Sequence, residues 1–194
     1  MTGCGRTGTF LALEQWGVKA DIVAVGKGLS AGYAPIAATL ISEKIMEPIV
    51  QGSKVIMSGH TFSGNPMSAT AALAVLKLIE SEKIIEGVDQ KGTYLKNLLE
   101  KCRTEFSFIQ DIRGRGLMWG IEFDERGAGF TSFIVQNGVD NGILLYPASA
   151  GIDGRKGSAI MVAPPLNSTK RELEEMVKRL RRTFQMAADN WKVK

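Results

Sequence analysis

The chain has 194 residues, 44% of them apolar and 23% charged, a composition that speaks against disorder and suits one to one and a half hydrophobic cores. The net charge is +4, but the excess basicity is concentrated near the carboxy terminus, where Glu172, Glu174 and Glu175 are interleaved with Lys170, Arg171, Lys178, Arg179, Arg181 and Arg182. That pattern reads as a solvated helix face, so no nucleic-acid partner is expected. Cys4 and Cys102 lie far apart and His60 is the single histidine, which argues against a disulfide framework and against a metal site. No run of eighteen apolar residues occurs, so no membrane span is expected, and a soluble protein of the reduced cytoplasm is the expectation.

In chain order, a glycine-rich turn opens the sequence, and with no element before it to anchor it the opening reads as a sign of truncation. Residues 22–25 and 37–41 are short apolar runs that read as buried strands of a parallel sheet. Between them Gly26-Lys27-Gly28-Leu29-Ser30-Ala31-Gly32-Tyr33 is too rich in glycine for a helix. Residues 42–50 form an expected helix capped by Ser42, and 67–81, after Pro66, an expected helix buried on most sides. A further helix is expected over 82–103, although Gly87 and Gly92 weaken its pattern. Residues 106–112 and 117–123 read as strands flanking an Arg113-Gly114-Arg115-Gly116 turn, 130–141 as a helix, 143–146 and 160–162 as strands, and 167–188 as a long amphipathic closing helix.

Three clusters carry residue types suited to chemistry. Lys27 stands past the end of an apolar strand with glycine on both sides, at the sheet edge where ligands bind in α/β folds. A lysine there serves as a phosphate-binding charge, as a Schiff-base amine, or as a surface residue with its stem packed on the sheet. The P-loop pattern is excluded, because Asp21 and Gly28 occupy the places that need glycine and Ser or Thr. Gly3-Cys4-Gly5-Arg6-Thr7-Gly8 has dinucleotide-fingerprint spacing, but no strand precedes it and Glu14 and Asp21 come too early for the ribose acid, so a tight turn is the better reading. His60-Thr61-Phe62-Ser63-Gly64-Asn65-Pro66 precedes a helix amino terminus, which suits a phosphate or, equally, ordinary capping by Ser63 or Asn65.

Taken in order, Gly5-Arg6-Thr7-Gly8, Asp21-Ile22-Val23-Ala24-Val25-Gly26-Lys27-Gly28, His60-Thr61-Phe62-Ser63-Gly64-Asn65-Pro66 and Ala163-Pro164-Pro165-Leu166 resemble the class III pyridoxal-phosphate-dependent aminotransferases. The resemblance implies an α/β, fold-type I architecture. Residues 1–80 would be the end of the large parallel-sheet domain, 81–104 a linking helix, and 105–194 the small carboxy-terminal α/β domain. It implies pyridoxal 5'-phosphate as cofactor, Lys27 as the Schiff-base lysine and carrier of the substrate proton, and Thr61 as a ligand of the cofactor phosphate in the neighbouring subunit of a homodimer. Such chemistry needs an amine that is neutral part of the time.

The family's Asp-Glu-Val segment, whose aspartate pairs with the cofactor's ring nitrogen, precedes the Thr-Gly-x-Gly-Arg-Thr-Gly motif and so falls before Met1, as do the phosphate cradle and the ring-stacking aromatic residue. By itself this polypeptide is therefore expected to be a poor transaminase. Ornithine-type members carry an arginine two residues before the Ala-Pro-Pro-Leu motif, where Met161 stands here, which favours an amine or ω-amino acid donor with a keto-acid acceptor; Arg155 is an alternative carboxylate ligand. Two alternatives stay open: another reaction of the same cofactor (aminomutase, decarboxylase or lyase), and a non-catalytic fragment acting in assembly.

Overall fold

The computed structural model of the chain describes residues 1–124, 129–148 and 158–191. The backbone divides into two compact units, Met1–Glu86 and Gly87–Lys194. Among the described residues no helix is long and apolar enough to cross a membrane, and no group of three or more His, Cys, Asp or Glu side chains is arranged to hold a metal ion.

In the first unit, β1 (Ile22–Val25) and β2 (Ala38–Ile41) pair antiparallel, with Ile22 opposite Ile41 and Val25 opposite Ala38. The expected parallel-sheet setting is corrected: the connection between the two strands contains only the short 3-10 helix Lys27–Ser30 and no full helix to carry the chain across for a parallel pairing. The two strands are also half-exposed where burial was expected, since among the described residues each hydrogen-bonds in a sheet only with the other. Helix α1 (Glu43–Gln51) follows Ser42, whose hydroxyl donates to Asp21 Oδ1 at 3.2 Å and makes no cap hydrogen bond. Helix α2 (Pro66–Ser81) starts on Asn65, whose Oδ1 accepts the Ser68 N–H at 3.1 Å. Far from being buried on most sides, α2 buries Ala72 alone, and Met67 is 81% exposed. Its apolar residues exceed what two strands and one short helix can cover.

The second unit is an antiparallel four-stranded sheet in the order β3-β4-β6-β5, formed by β3 (Ile109–Arg115), β4 (Met118–Phe123), β5 (Tyr146–Ala148) and β6 (Ala159–Val162). Helices α3 (Val88–Glu105), α4 (Phe130–Asp140) and α5 (Lys170–Asn190) supply the rest of its core. Trp119, Ile121 and Phe123 on β4 and Ile160 and Val162 on β6 bury one sheet face by strict alternation. On β3, Ile109 and Ile112 share that face because a bulge between Ile109 and Asp111 inserts one residue. The opposite face carries Arg113, which ion-pairs with Asp111 at 2.8 Å and with Glu122. Strand β5 begins at Tyr146, later than the run 143–146 suggested, because Ile143 and Leu145 are buried in the loop before it.

Phe106, Phe108, Phe123, Phe130 and Phe184 bring β-sheet and helices together, mostly edge to face, with centroids between 5.2 and 5.9 Å apart. Such pairs contribute about 0.5–1.5 kcal/mol each beyond their buried area. Helix α5 starts on a reciprocal capping box, in which Thr169 Oγ1 accepts the Glu172 N–H at 3.3 Å and Glu172 Oε2 accepts the Thr169 N–H at 2.7 Å. The Thr169 N–H and hydroxyl, both donating to Glu172 Oε2, hold that carboxyl below the usual carboxylate range.

The hairpin turn lies at Gly116-Leu117, two positions past the expected centre at Gly114-Arg115, because Gly116 with φ +54° suits the first turn position and Arg113 to Arg115 remain in the ladder. The Trp119 indole N–H donates to Gly116 O at 2.8 Å. A Cβ on Gly92 of α3 would stand 2.7 Å from the Gly116 carbonyl carbon and 2.8 Å from its Cα. Helix backbone and hairpin backbone touch, and Gly92 belongs in the helix for that reason despite its poor helix propensity.

Gly92→Ala is expected to lower the unfolding free energy of the second unit by about 3 kcal/mol in a urea titration read by near-ultraviolet circular dichroism; a loss below about 0.5 kcal/mol would show that the close approach is not a constraint. Burial, assisted by Glu105, pushes the Cys102 thiol up from its ordinary value of 9.0 to about 11. Between those values the unfolded chain ionises while the folded one keeps its proton, so stability, complete below the ordinary value, falls as pH rises. Cys102→Ala is expected to remove that part of the alkaline decline in urea titrations run at stepped pH.

Candidate active site

The residues around Lys27 form a single anchored turn in the first unit. Lys27–Ser30 is one short 3-10 helix directly after β1, closed by Leu29 N–H to Gly26 O at 3.1 Å and Ala31 N–H to Gly28 O at 3.1 Å. Lys27 has φ +51° and Ala31 φ +49°, a left-handed backbone that ordinary side chains rarely adopt and that persists only where its surroundings over-determine it. Two buried neighbours do so here: Leu29 packs with Ala72 of α2, and the Ser30 hydroxyl donates to Ala34 O at 2.6 Å. Among the described residues the Lys27 amine is exposed and engaged in no hydrogen bond or ion pair.

The Gly3–Gly8 segment is a tight turn followed by a short 3-10 helix rather than an α-helix, which favours the turn reading over the dinucleotide one. Gly8 N–H donates to Gly5 O at 3.0 Å, the Thr7 hydroxyl to Thr2 O at 3.2 Å, and the Gln15 amide to Thr7 O and, at 3.3 Å, to Thr9 Oγ1. Cys4 is buried beneath Gly28, and burial pushes its thiol up while the chain's amino group pulls it down. Burial also lowers the Arg6 guanidinium from its ordinary value.

Thr61 lies in the exposed loop ahead of α2, and its hydroxyl has no hydrogen-bond partner among the described residues. In that loop Ser63 Oγ accepts the His60 N–H at 3.0 Å and Asn65 caps the helix, so capping consumes two of the small polar groups that had suited an anion equally well. The structure packs α2 against the Lys27 turn and leads the Thr61 loop into the start of α2. Arg155 lies outside the described residues. An apolar cleft of about 380 Å³, lined in part by Cys4, Leu13, Trp16 and Val23, reaches Gly26 and stops one residue short of Lys27.

In the second unit, the Lys91 ammonium donates to Leu166 O at 2.8 Å, tying the start of α3 to the end of the Ala163-Pro164-Pro165-Leu166 segment. Sequence reasoning passed over Lys91; a lone lysine in a helix's first turn carries no signal of a contact 75 residues away. Met161 is half-exposed on β6, opposite Gly120 of β4 and Tyr146 of β5, on the face turned away from the buried Ile160 and Val162.

Residues 1–184 match the family model described as Aminotransferase class-III. The chain is 44% identical over 186 residues to an uncharacterized aminotransferase, YodT, of Bacillus subtilis (strain 168), covering 91% of this chain and 42% of that protein. It is 35% identical over 176 residues to an acetylornithine aminotransferase of Caldanaerobacter subterraneus, covering 90% of this chain and 40% of that protein. It also superimposes on the solved PLP-bound amine transaminase of an uncultivated Pseudomonas species with a TM-score of 0.84 at 34% identity, covering 95% of this chain and 42% of that one. The chain thus spans less than half the length of the curated relatives it matches, and its fold is that of the fold-type I transferases. By motif order, fold and family match together, the chain belongs to the class III aminotransferase family.

Proposed function

We propose that this chain is the carboxy-terminal part of a pyridoxal 5'-phosphate-dependent aminotransferase that moves an amino group from an amine or ω-amino acid to a keto acid, with Lys27 as its catalytic residue. One observation carries the reading: in a class III chain, the Lys27 amine stands exposed and uncommitted on a left-handed, buried-anchored turn at the end of β1. An amine so placed fits the aldehyde of the cofactor, because it is accessible, has no competing ion pair, and is held by backbone that cannot relax away.

When bound, the cofactor supplies an electron sink for the charge left on the substrate carbon as its proton departs. The chain's own part is to hold and to move a proton. Lys27 Nζ would hold the cofactor covalently, and as a free amine it would take up and return the proton of the substrate carbon, so one group would serve as anchor, base and acid. Thr61 would reach the cofactor phosphate of a neighbouring subunit, and homodimerisation is supported by the apolar exposure around it, where Phe62 is 79% exposed. Met1 to residue 80 would complete a large sheet domain and residues 105–194 a small one, with α3, expected as a linking helix, packed in the second unit. Cytoplasmic location is proposed from the family and composition. Met161 on the open sheet face offers no charge for an α-carboxylate, which supports an ω-amino acid or simple amine donor; Arg155 remains the alternative carboxylate ligand.

A second reading, a non-catalytic partner in assembly, is favoured by one observation: the first unit buries few side chains, chiefly Cys4, Thr7, Leu29, Ser30 and Ala72.

Incubation of the chain with pyridoxal phosphate, borohydride reduction and mass mapping of the modified lysines tests the reading. A visible absorption band with label confined to Lys27, both lost in Lys27→Ala, is expected; label scattered over surface lysines would sink the proposal in favour of the assembly reading. In the assembled enzyme, Met161→Arg is expected to lower KM for donors bearing an α-carboxylate by about tenfold and leave simple amines unimproved, as a bidentate arginine pair would.

A further inference from the structure

We propose that Cys4 and Gly28 form a packing contact that sets the position of the Lys27 amine, making the Gly3–Gly8 turn a positioning element for that lysine. The inference rests on the reading of Lys27 as the cofactor-holding residue. Its basis is the contact geometry beneath the turn. A Cβ on Gly28 would lie 3.0 Å from Cys4 Cβ and 3.7 Å from Cys4 Sγ. The first distance is tighter than carbon atoms ordinarily pack, so a side chain at residue 28 would force Cys4 to give by a few tenths of an ångström.

Cys4 is itself held from several sides. It is 3% exposed and carries φ +53°, a conformation in which branched side chains are strained. Its turn is closed by Arg6 N–H to Gly3 O at 3.4 Å and Gly8 N–H to Gly5 O at 3.0 Å, and is tied to the following 3-10 helix by the Gln15 amide. Across the Lys27 turn, Leu29 packs with Ala72 of α2, and Ser30, 2% exposed, bonds Ala34 O. Lys27 is therefore followed directly by two anchored residues, Gly28 against Cys4 and Leu29 against α2. A left-handed lysine that leads into such a pair cannot exchange its φ for the common region without disturbing a buried contact after it. The consequence is an amine whose stem starts from a defined point, the condition under which a covalent anchor and a proton carrier can be one group. Cys4 acts through its Cβ; its thiol is buried and carries no step.

The test compares the parent chain with Gly28→Ala, Cys4→Ala and the double variant Cys4→Gly/Gly28→Ala. Two quantities are measured. One is amide hydrogen exchange, without cofactor, at Leu29, Ala31 and Tyr33, whose N–H groups bond Gly26, Gly28 and Ser30 carbonyls. The other is the rate of pyridoxal phosphate trapping by borohydride at Lys27 relative to Lys44 and Lys77 in the same molecules.

Gly28→Ala is expected to raise exchange in the turn about tenfold and to cut the trapping advantage of Lys27 about tenfold. The double variant, which restores the room, is expected to return both to within about twofold of the parent. Cys4→Ala, which keeps Cβ and loses sulfur, is expected to behave as the parent. A parent-like Gly28→Ala, a double variant no better than the single, or loss of trapping in Cys4→Ala would each overturn the packing role. If exchange follows the expected pattern while Lys27 is not preferentially trapped even in the parent, the catalytic reading of Lys27 fails and the positioning role fails with it.

Discussion

At Gly92 the backbone comes closer to a neighbouring element than a Cβ would allow, at Gly28 closer than a Cβ comfortably fits, and the packing of each unit turns on that missing carbon. In the second unit it lets α3 lie on the β3–β4 hairpin, which aligns Leu95, Leu99 and Cys102 with the face carrying Ile112 and Ile121. In the first it lets the Lys27 turn rest on Cys4 while Leu29 reaches α2. Glycine weakens a helix or a turn through entropy, and its presence at these two places indicates that close packing of backbone on backbone outweighs the propensity lost.

The two units distribute their stability differently. Gly87–Lys194 has a continuous core in which five phenylalanine rings meet from sheet and helices, closed by capped helix α5. Met1–Glu86 has a small cluster around the Lys27 turn and leaves Trp16, Met57, Phe62 and Met67 in solvent. Exposed apolar surface of that extent supports the proposed contact with a neighbouring subunit. The local rigidity of the lysine turn within a sparsely packed unit means that order is concentrated where chemistry is proposed.

Much of the fold was legible from residue order. The strand before Lys27, the helix after Pro66, the long amphipathic closing helix and the turn character of Gly3–Gly8 all appear near their expected places, because each has a local cause: an apolar run, a proline at a first turn, a 3.6-residue period, clustered glycine. What was misjudged has non-local causes. The antiparallel pairing of β1 with β2, the exposure of α2 and the placement of the hairpin turn at Gly116 depend on which surfaces meet. The bulge that puts Ile109 and Ile112 on one face, and the reach of Lys91 to Leu166, likewise have no signature in the window around each residue.

For the site the division is the same. By itself the sequence determined the residue types, their spacing and, through the resemblance of four ordered motifs, Lys27 as the lysine of interest, since motif order survives without knowledge of contacts. Only the tertiary structure decided that Lys27 adopts a left-handed backbone, that Ser30 and Leu29 are buried on its far side, and that Cys4 lies directly beneath Gly28. The physical reason is distance along the chain: Cys4 and Gly28 are separated by two dozen residues, and a van der Waals contact between them exists only after the turn, the strand and the helix behind it have folded together.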